Sequence, residues 1–139
     1  MKRTGIVHAE LARMMVGLRH TDTFVITDAG LPLPPGMPCV DLGYRYGQAA
    51  FCDVTSTMLP EVVVEHSWVS RNVVSVNPAV HQHLIDLGLT PELLDHDQFK
   101  VLVRNAAFAV RTGEATSFAN VLCRAGAAFD SSQDETGKR

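Results

Sequence analysis

The 139-residue chain has no excess of basic residues, no paired cysteines and no long uninterrupted apolar run. Its 12 Lys and Arg against 15 Asp and Glu leave a net charge of −3, so no basic stripe is present to follow a nucleic-acid backbone, and an acidic membrane surface is an equally poor partner. Cys39, Cys52 and Cys123 are odd in number, widely spaced and set among apolar neighbours. That pattern predicts reduced thiols buried as small hydrophobes in a cytoplasmic protein, and it lacks both zinc-type spacing and a Cys-His nucleophile pattern. Met1-Lys2-Arg3 opens with positive charge, but Glu10 and Arg13 interrupt the apolar residues that follow and no small-residue cleavage site is present. The expectation is therefore no export signal and no transmembrane span.

What is present fits one domain. Hydrophobic residues make up 46% of the chain, enough for a single core over residues 1–129. Residues 130–139 are polar, contain Gly137 and have no apolar period, which predicts a disordered tail. Leu11, Met14, Met15 and Leu18 recur at helical spacing and predict a helix over 8–18. Residues 23–27, rich in β-branched and aromatic side chains, predict a strand that Gly30 and the prolines of 32–38 terminate. Asp28 then sits at the carboxyl end of a strand, where open α/β sheets form ligand clefts. Residues 51–55 and 62–64 read as further strands, 79–87 as a short helix after Pro78, and 121–123 as a final strand. Phe99, Leu102, Val103, Ala106, Ala107 and Val110 line one face of a helix predicted to end at Gly113, with Asp95 and Gln98 as its capping box and His96 in its first turn. Strands alternating with helices, without internal repeats, give a single α/β domain in which a β-sheet is layered with helices.

The run Leu18-Arg19-His20-Thr21-Asp22-Thr23, the apolar strand, and Asp28-Ala29-Gly30-Leu31-Pro32 together closely resemble the N-terminal signature of the D-ribose pyranase family. Asp41, Asn77-Pro78-Ala79-Val80-His81, His96-Asp97-Gln98-Phe99-Lys100, and Arg111-Thr112-Gly113-Glu114 through Phe118-Ala119-Asn120 to Gly126 follow in the family's order, so the likeness extends to Phe129. It implies a cofactor-independent, metal-free isomerase that interconverts the pyranose and furanose forms of D-ribose. It further implies His20 as general acid and base, with Asp28, His96, Phe118, Ala119 and Asn120 on the sugar. The implied assembly is a ring-shaped homo-oligomer, pentameric or decameric, whose cleft lies between neighbouring subunits.

The residue types suit that chemistry. Ring opening takes a proton from the anomeric hydroxyl and gives one to the ring oxygen, and an imidazole with an ordinary pKa of about 6.5 exchanges protons in both directions near neutrality. A carboxylate at Asp28 accepts sugar hydroxyls, and the amide of Asn120 both donates and accepts. His20 and Asp28 are eight residue steps apart, at most roughly 26 Å in extended chain, so they meet only if the backbone turns between them or if they face each other across one pocket. Duller roles stay open: a surface or capping group for His20, a loop brace for Asp28, a solvated helix start for His96 and a local turn cap for Asp22. His8, His66, His81 and His83 read as surface or packing residues.

Two positions depart from the family signature. Phe118 stands where the family has tyrosine, removing a hydroxyl whose hydrogen bond is worth about 0.5 to 1.5 kcal/mol. Arg19 stands where the family has glycine, at a cost of roughly 1 to 2 kcal/mol if the backbone there is left-handed. Alternative functions are mutarotation of fucose or another monosaccharide, a sugar-binding regulatory module without turnover, and a metal hydrolase using His20, Asp22, Asp28 and His96.

Overall fold

Strand β1 (Thr23–Thr27) is buried from Phe24 onward and has neighbours on both edges. The computed structural model describes residues 1–129, so the predicted tail at 130–139 lies outside the described residues. β1 is flanked by β5 (Phe108–Arg111), parallel to it, and by β6 (Val121–Ala125), antiparallel to it. β2 (Cys39–Asp41), β3 (Val64–Ser70) and β4 (Glu92–Leu94) complete a six-stranded mixed sheet in the order β2-β5-β1-β6-β3-β4. Every pairing is parallel except the two made by β6.

Successive side chains of a strand point to opposite faces, and here both faces are covered. Phe24, Ile26, Phe108 and Val110 face a core built with α1 (Ala9–Val16), α2 (Phe51–Met58) and α4 (Pro78–Asp86). Val25, Ala109 and Leu122 face the opposite side, against Phe99 and Val103 of α5 (His96–Val103). A short helix, α3 (Asn72–Val76), links β3 to α4. The structure is thus a single α/β domain with helices on a mixed sheet, as the sequence pattern predicts.

Several elements differ from expectation, each for a physical reason. Residues 51–55 are helical, not extended: Phe51, Val54, Thr55 and Met58 are buried at helical spacing, and the Thr55 hydroxyl donates to the Phe51 carbonyl at 2.9 Å. A five-residue window is too short to reveal that period. The helix predicted through Val110 stops at Val103, after which amides 104, 105 and 106 each bond back three residues in a tight turn. Phe108 to Val110 then alternates between the two faces as a strand does. Asp95 stands at the N-cap of α5, but its side chain makes no cap bond; it pairs instead with Arg71 Nε at 2.9 Å. The strand expected at 62–64 begins at Val64 and runs to Ser70, and β2 and β4, only three residues each, carry too little pattern to be read. Cys39 is exposed on β2, correcting the expectation of three buried thiols; Cys52 is half-buried, and burial pushes the Cys123 thiol up to about 12.

The rings of Phe24 and Phe108 stack at 5.6 Å across the parallel pair. Truncation of Phe108→Ala should lower unfolding free energy by about 3 to 5 kcal/mol in urea titration, the usual cost of an emptied aromatic core position.

Candidate functional site at the carboxyl end of the central strand

Asp28 leaves β1 and turns its carboxylate back on the loop that follows. Its Oδ1 accepts from the amides of Gly30 and Leu31 at 2.9 and 2.8 Å, an Asx-type turn that fixes the chain before Pro32. Asn120, 2% exposed at the entry to β6, accepts the Asp28 amide on its Oδ1 at 2.9 Å and directs its Nδ2 to Asp28 Oδ2 at 3.5 Å. Loop bracing, open as a rival role for Asp28, is thus one of the things it does. Because Oδ1 is committed, Oδ2 is the oxygen left to receive a ligand hydroxyl.

Across the cleft stands His96, the first residue of α5. Its ring meets the Phe118 ring edge-on at 5.1 Å and lies nearly parallel to Phe99 at 6.4 Å. The His96 Nδ1 atom is buried and has no hydrogen-bond partner among the described residues. Phe118 has φ +61°, the left-handed region that a bulky residue rarely enters. Its loop is held by Asn77 Nδ2, which donates to the Thr116 hydroxyl and the Ser117 carbonyl at 2.9 Å each. Asp28, His96, Phe118 and Asn120 line one cleft of about 220 Å³. A hollow of about 400 Å³ also lined by Asp28, Gly30 and Ser117 extends it toward Tyr46 and Glu114.

Two predicted residues are not there. Ala119 does not line the cleft; it is fully buried in the core. His20 does not line the cleft. It precedes β1 whereas Asp28 follows it, and the strand alone is about 16 Å long. The imidazole instead reaches Glu65 on β3, Nε2 lying 3.3 and 3.4 Å from the two carboxylate oxygens. The turn at residues 19–22 therefore does not carry His20 back toward Asp28. The metal-ligand grouping of His20, Asp22, Asp28 and His96 is not assembled, and among the described residues no three His, Cys, Asp or Glu converge to hold a metal. Asp22 caps its own turn, accepting the Arg19 amide at 2.8 Å. Arg19 is not left-handed, and its guanidinium donates to the Val16 and Leu18 carbonyls at 3.0 Å, so its substitution carries no backbone penalty.

Sequence reading assigned no role to Glu65 or Glu114, whose partners are distant in the chain. The Glu114 carbonyl accepts the Ala29 amide at 3.0 Å, and its carboxylate takes the Phe51 amide at 2.9 Å and the Thr116 hydroxyl at 2.7 Å. It thereby ties the cleft loop to the start of α2.

Fold and cleft define a small α/β protein with a polar, aromatic-walled cleft at the carboxyl end of its central strand, scaled to a small hydroxylated ligand. The model of the RbsD / FucU transport protein family matches residues 1–128, and the chain belongs to that family. It is 38% identical to a D-ribose pyranase of Shouchella clausii over 93% of this chain and all of that one, and 43% identical to D-ribose pyranase 1 of Rubrobacter xylanophilus with the same coverage. Among solved structures, RbsD of Bacillus subtilis complexed with D-ribose aligns with a TM-score of 0.88 at 37% identity, covering 93% of this chain and all of that one. A Streptococcus pneumoniae fucose mutarotase in complex with L-fucose shares the fold, with a TM-score of 0.72 at 18% identity over 88% of this chain and 95% of that one. No helix among the described residues is long and apolar enough to cross a membrane.

Burial pushes the Glu114 carboxyl up, but the bonds from the Thr116 hydroxyl and the Phe51 and Thr116 amides outweigh it and hold the group below its ordinary value of 4.5. A lowered folded value stabilises the fold above the ordinary value, and that contribution drains away as pH falls from the ordinary value through the lowered one. Glu114→Gln should cost about 1 to 3 kcal/mol at neutral pH and flatten the acid limb of the stability profile, as read by urea titration from about pH 7 down to about pH 3.

Proposed function

We propose that this protein is a cofactor-independent D-ribose pyranase of the cytoplasm, opening and reclosing the sugar ring with His20 as the proton carrier. The reading rests on one observation: Asp28, His96, Phe118 and Asn120 share a cleft in a chain that is 37% identical, over 93% of its length, to a protein whose structure holds D-ribose. In the forward step a base takes the anomeric hydroxyl proton, the bond from C1 to the ring oxygen breaks, and that oxygen is protonated, leaving an aldehyde. Closure through the neighbouring hydroxyl reverses the proton transfers and gives the furanose. No electron pair leaves the sugar, so positioned proton transfer, worth roughly 10² to 10⁴ in rate, is the help required. Asp28 Oδ2 and the His96 ring receive hydroxyls, Asn120 holds Asp28 in place, and the Phe118 ring covers an apolar sugar face.

His20 enters this scheme from a neighbouring subunit. With imidazole and cleft at opposite ends of β1, the two halves combine when the carboxyl end of one protomer meets the amino end of the next, a heterologous contact that closes into a ring of five, or two such rings of five. Ribose is the substrate favoured over fucose, because the ribose-bound relative has the higher identity.

Saturation-transfer NMR on ribose should show faster pyranose–furanose exchange with the protein and no acceleration with His20→Ala; unchanged exchange with the intact protein excludes the activity. For the shared site, His20→Ala and Asp28→Ala should each be inactive alone, whereas co-assembled mixtures regain about a quarter of the intact sites by random pairing. Absence of any recovery in verified mixed oligomers places the whole site within one chain.

A further inference from the structure

We infer that Glu65 is the positioning residue for His20, fixing its Nε2 as the hydrogen-bearing nitrogen and leaving Nδ1 to exchange protons with the sugar. This rests on the acid–base role proposed for His20.

The contact is built by the backbone. Val64 pairs with Ala125 and His66 with Arg124, so Glu65 is the extra residue of a bulge in β3, a device that re-aims a side chain. The opposing strand leaves room for it: a Cβ on Gly126 would approach Val63 Cγ1 to 2.9 Å and Glu65 Cβ to 3.3 Å. Gly126 donates its amide to the Val63 carbonyl at 2.7 Å, locking that approach. The His20 side is equally fixed. Thr21 donates to the Ala125 carbonyl at 2.9 Å, Ala125 donates to the Asp22 carbonyl at 2.8 Å, and Thr21 sits at φ +75°, an outlier for a β-branched residue. Both partners are thus tied to the end of β6.

Glu65 is held from behind. Arg124 Nε donates to Glu65 Oε1 at 3.0 Å while its guanidinium lies 5.6 Å from the centre of the Trp68 ring. Burial pushes the Glu65 carboxyl up, but His20 and Arg124 together hold it below the ordinary range. An ionised carboxylate only accepts, so the imidazole nitrogen against it carries the hydrogen, and the other nitrogen of neutral His20 bears the lone pair. The same logic orients a histidine wherever a carboxylate bonds its non-reacting nitrogen.

The test combines ribose exchange kinetics with nitrogen NMR of the histidines in the assembled protein. In the parent, His20 should appear as the Nε2–H tautomer. Glu65→Ala, on an exposed side chain, should lower kcat about tenfold, a fraction of what a positioned acid–base group supplies, with KM changed by less than about twofold because Glu65 does not touch the sugar. The tautomer bias should disappear, and Glu65→Gln, which keeps an acceptor in place, should recover part of both. An Nδ1–H tautomer in the parent, or a kcat within about twofold of the parent in Glu65→Ala while His20→Ala is inactive, overturns the assignment. Full exchange in His20→Ala instead removes the acid–base reading itself.

Discussion

Strand β1 cannot bend, and most of the molecule's functional architecture follows from that. Its residues from Phe24 to Thr27 are fully buried, its two edges are hydrogen-bonded, and helices cover both of its faces. A strand so confined holds its two ends apart by its own length, about 16 Å. The histidine that precedes it and the aspartate that follows it therefore stand apart within one protomer, each with its own supporting residues.

Strand β6 serves both ends. As the antiparallel neighbour of β1, it begins beside Ile26 and ends beside Thr23. Its entry places Asn120 against Asp28, and its exit places Arg124 and Ala125 against the His20 turn and Glu65. A parallel strand in that position would reverse this placement, bringing its entry to His20 and its exit to Asp28. The one strand that breaks the parallel pattern is thus the one that carries supporting residues to both ends of β1.

Much of this is legible in the sequence, and what is not has identifiable causes. β1, α1 and α4 are readable because their apolar spacing is carried by consecutive residues, and Asp28 is readable because strand signals end at it and turn signals begin. The strands at Cys39–Asp41 and Glu92–Leu94 are invisible because three residues hold no period. Residues 99–110 mislead because Ala106, Ala107 and Val110 continue a helical stripe by coincidence, although parallel pairing of Phe108 to Arg111 with β1 decides the conformation there. The contact of Glu65 with His20 spans 45 positions and depends on a bulge, which leaves no local trace in composition or spacing. The candidate cleft was approached through resemblance rather than pattern, since His96 and Asn120 are unremarkable residues until the fold sets them beside Asp28.

The two departures from the family signature separate cleanly once their backbones are known. Arg19 occupies an ordinary conformation and folds back onto the end of α1, so it changes neither strain nor the cleft. Phe118 is different: it takes the left-handed conformation itself, with Asn77 holding its loop and its ring set edge-on to His96. The conformation sets the ring in the cleft wall beside His96. With no phenol beside His96, that wall of the cleft presents an apolar ring, and Asp28 across from it supplies the carboxylate. A ligand with one apolar face and hydroxyls directed to the other side fits such a cleft better than one polar all round, because each unpaired buried hydroxyl is costly. The substitution therefore bears on the shape and polarity of the cleft and not on the turn that carries His20.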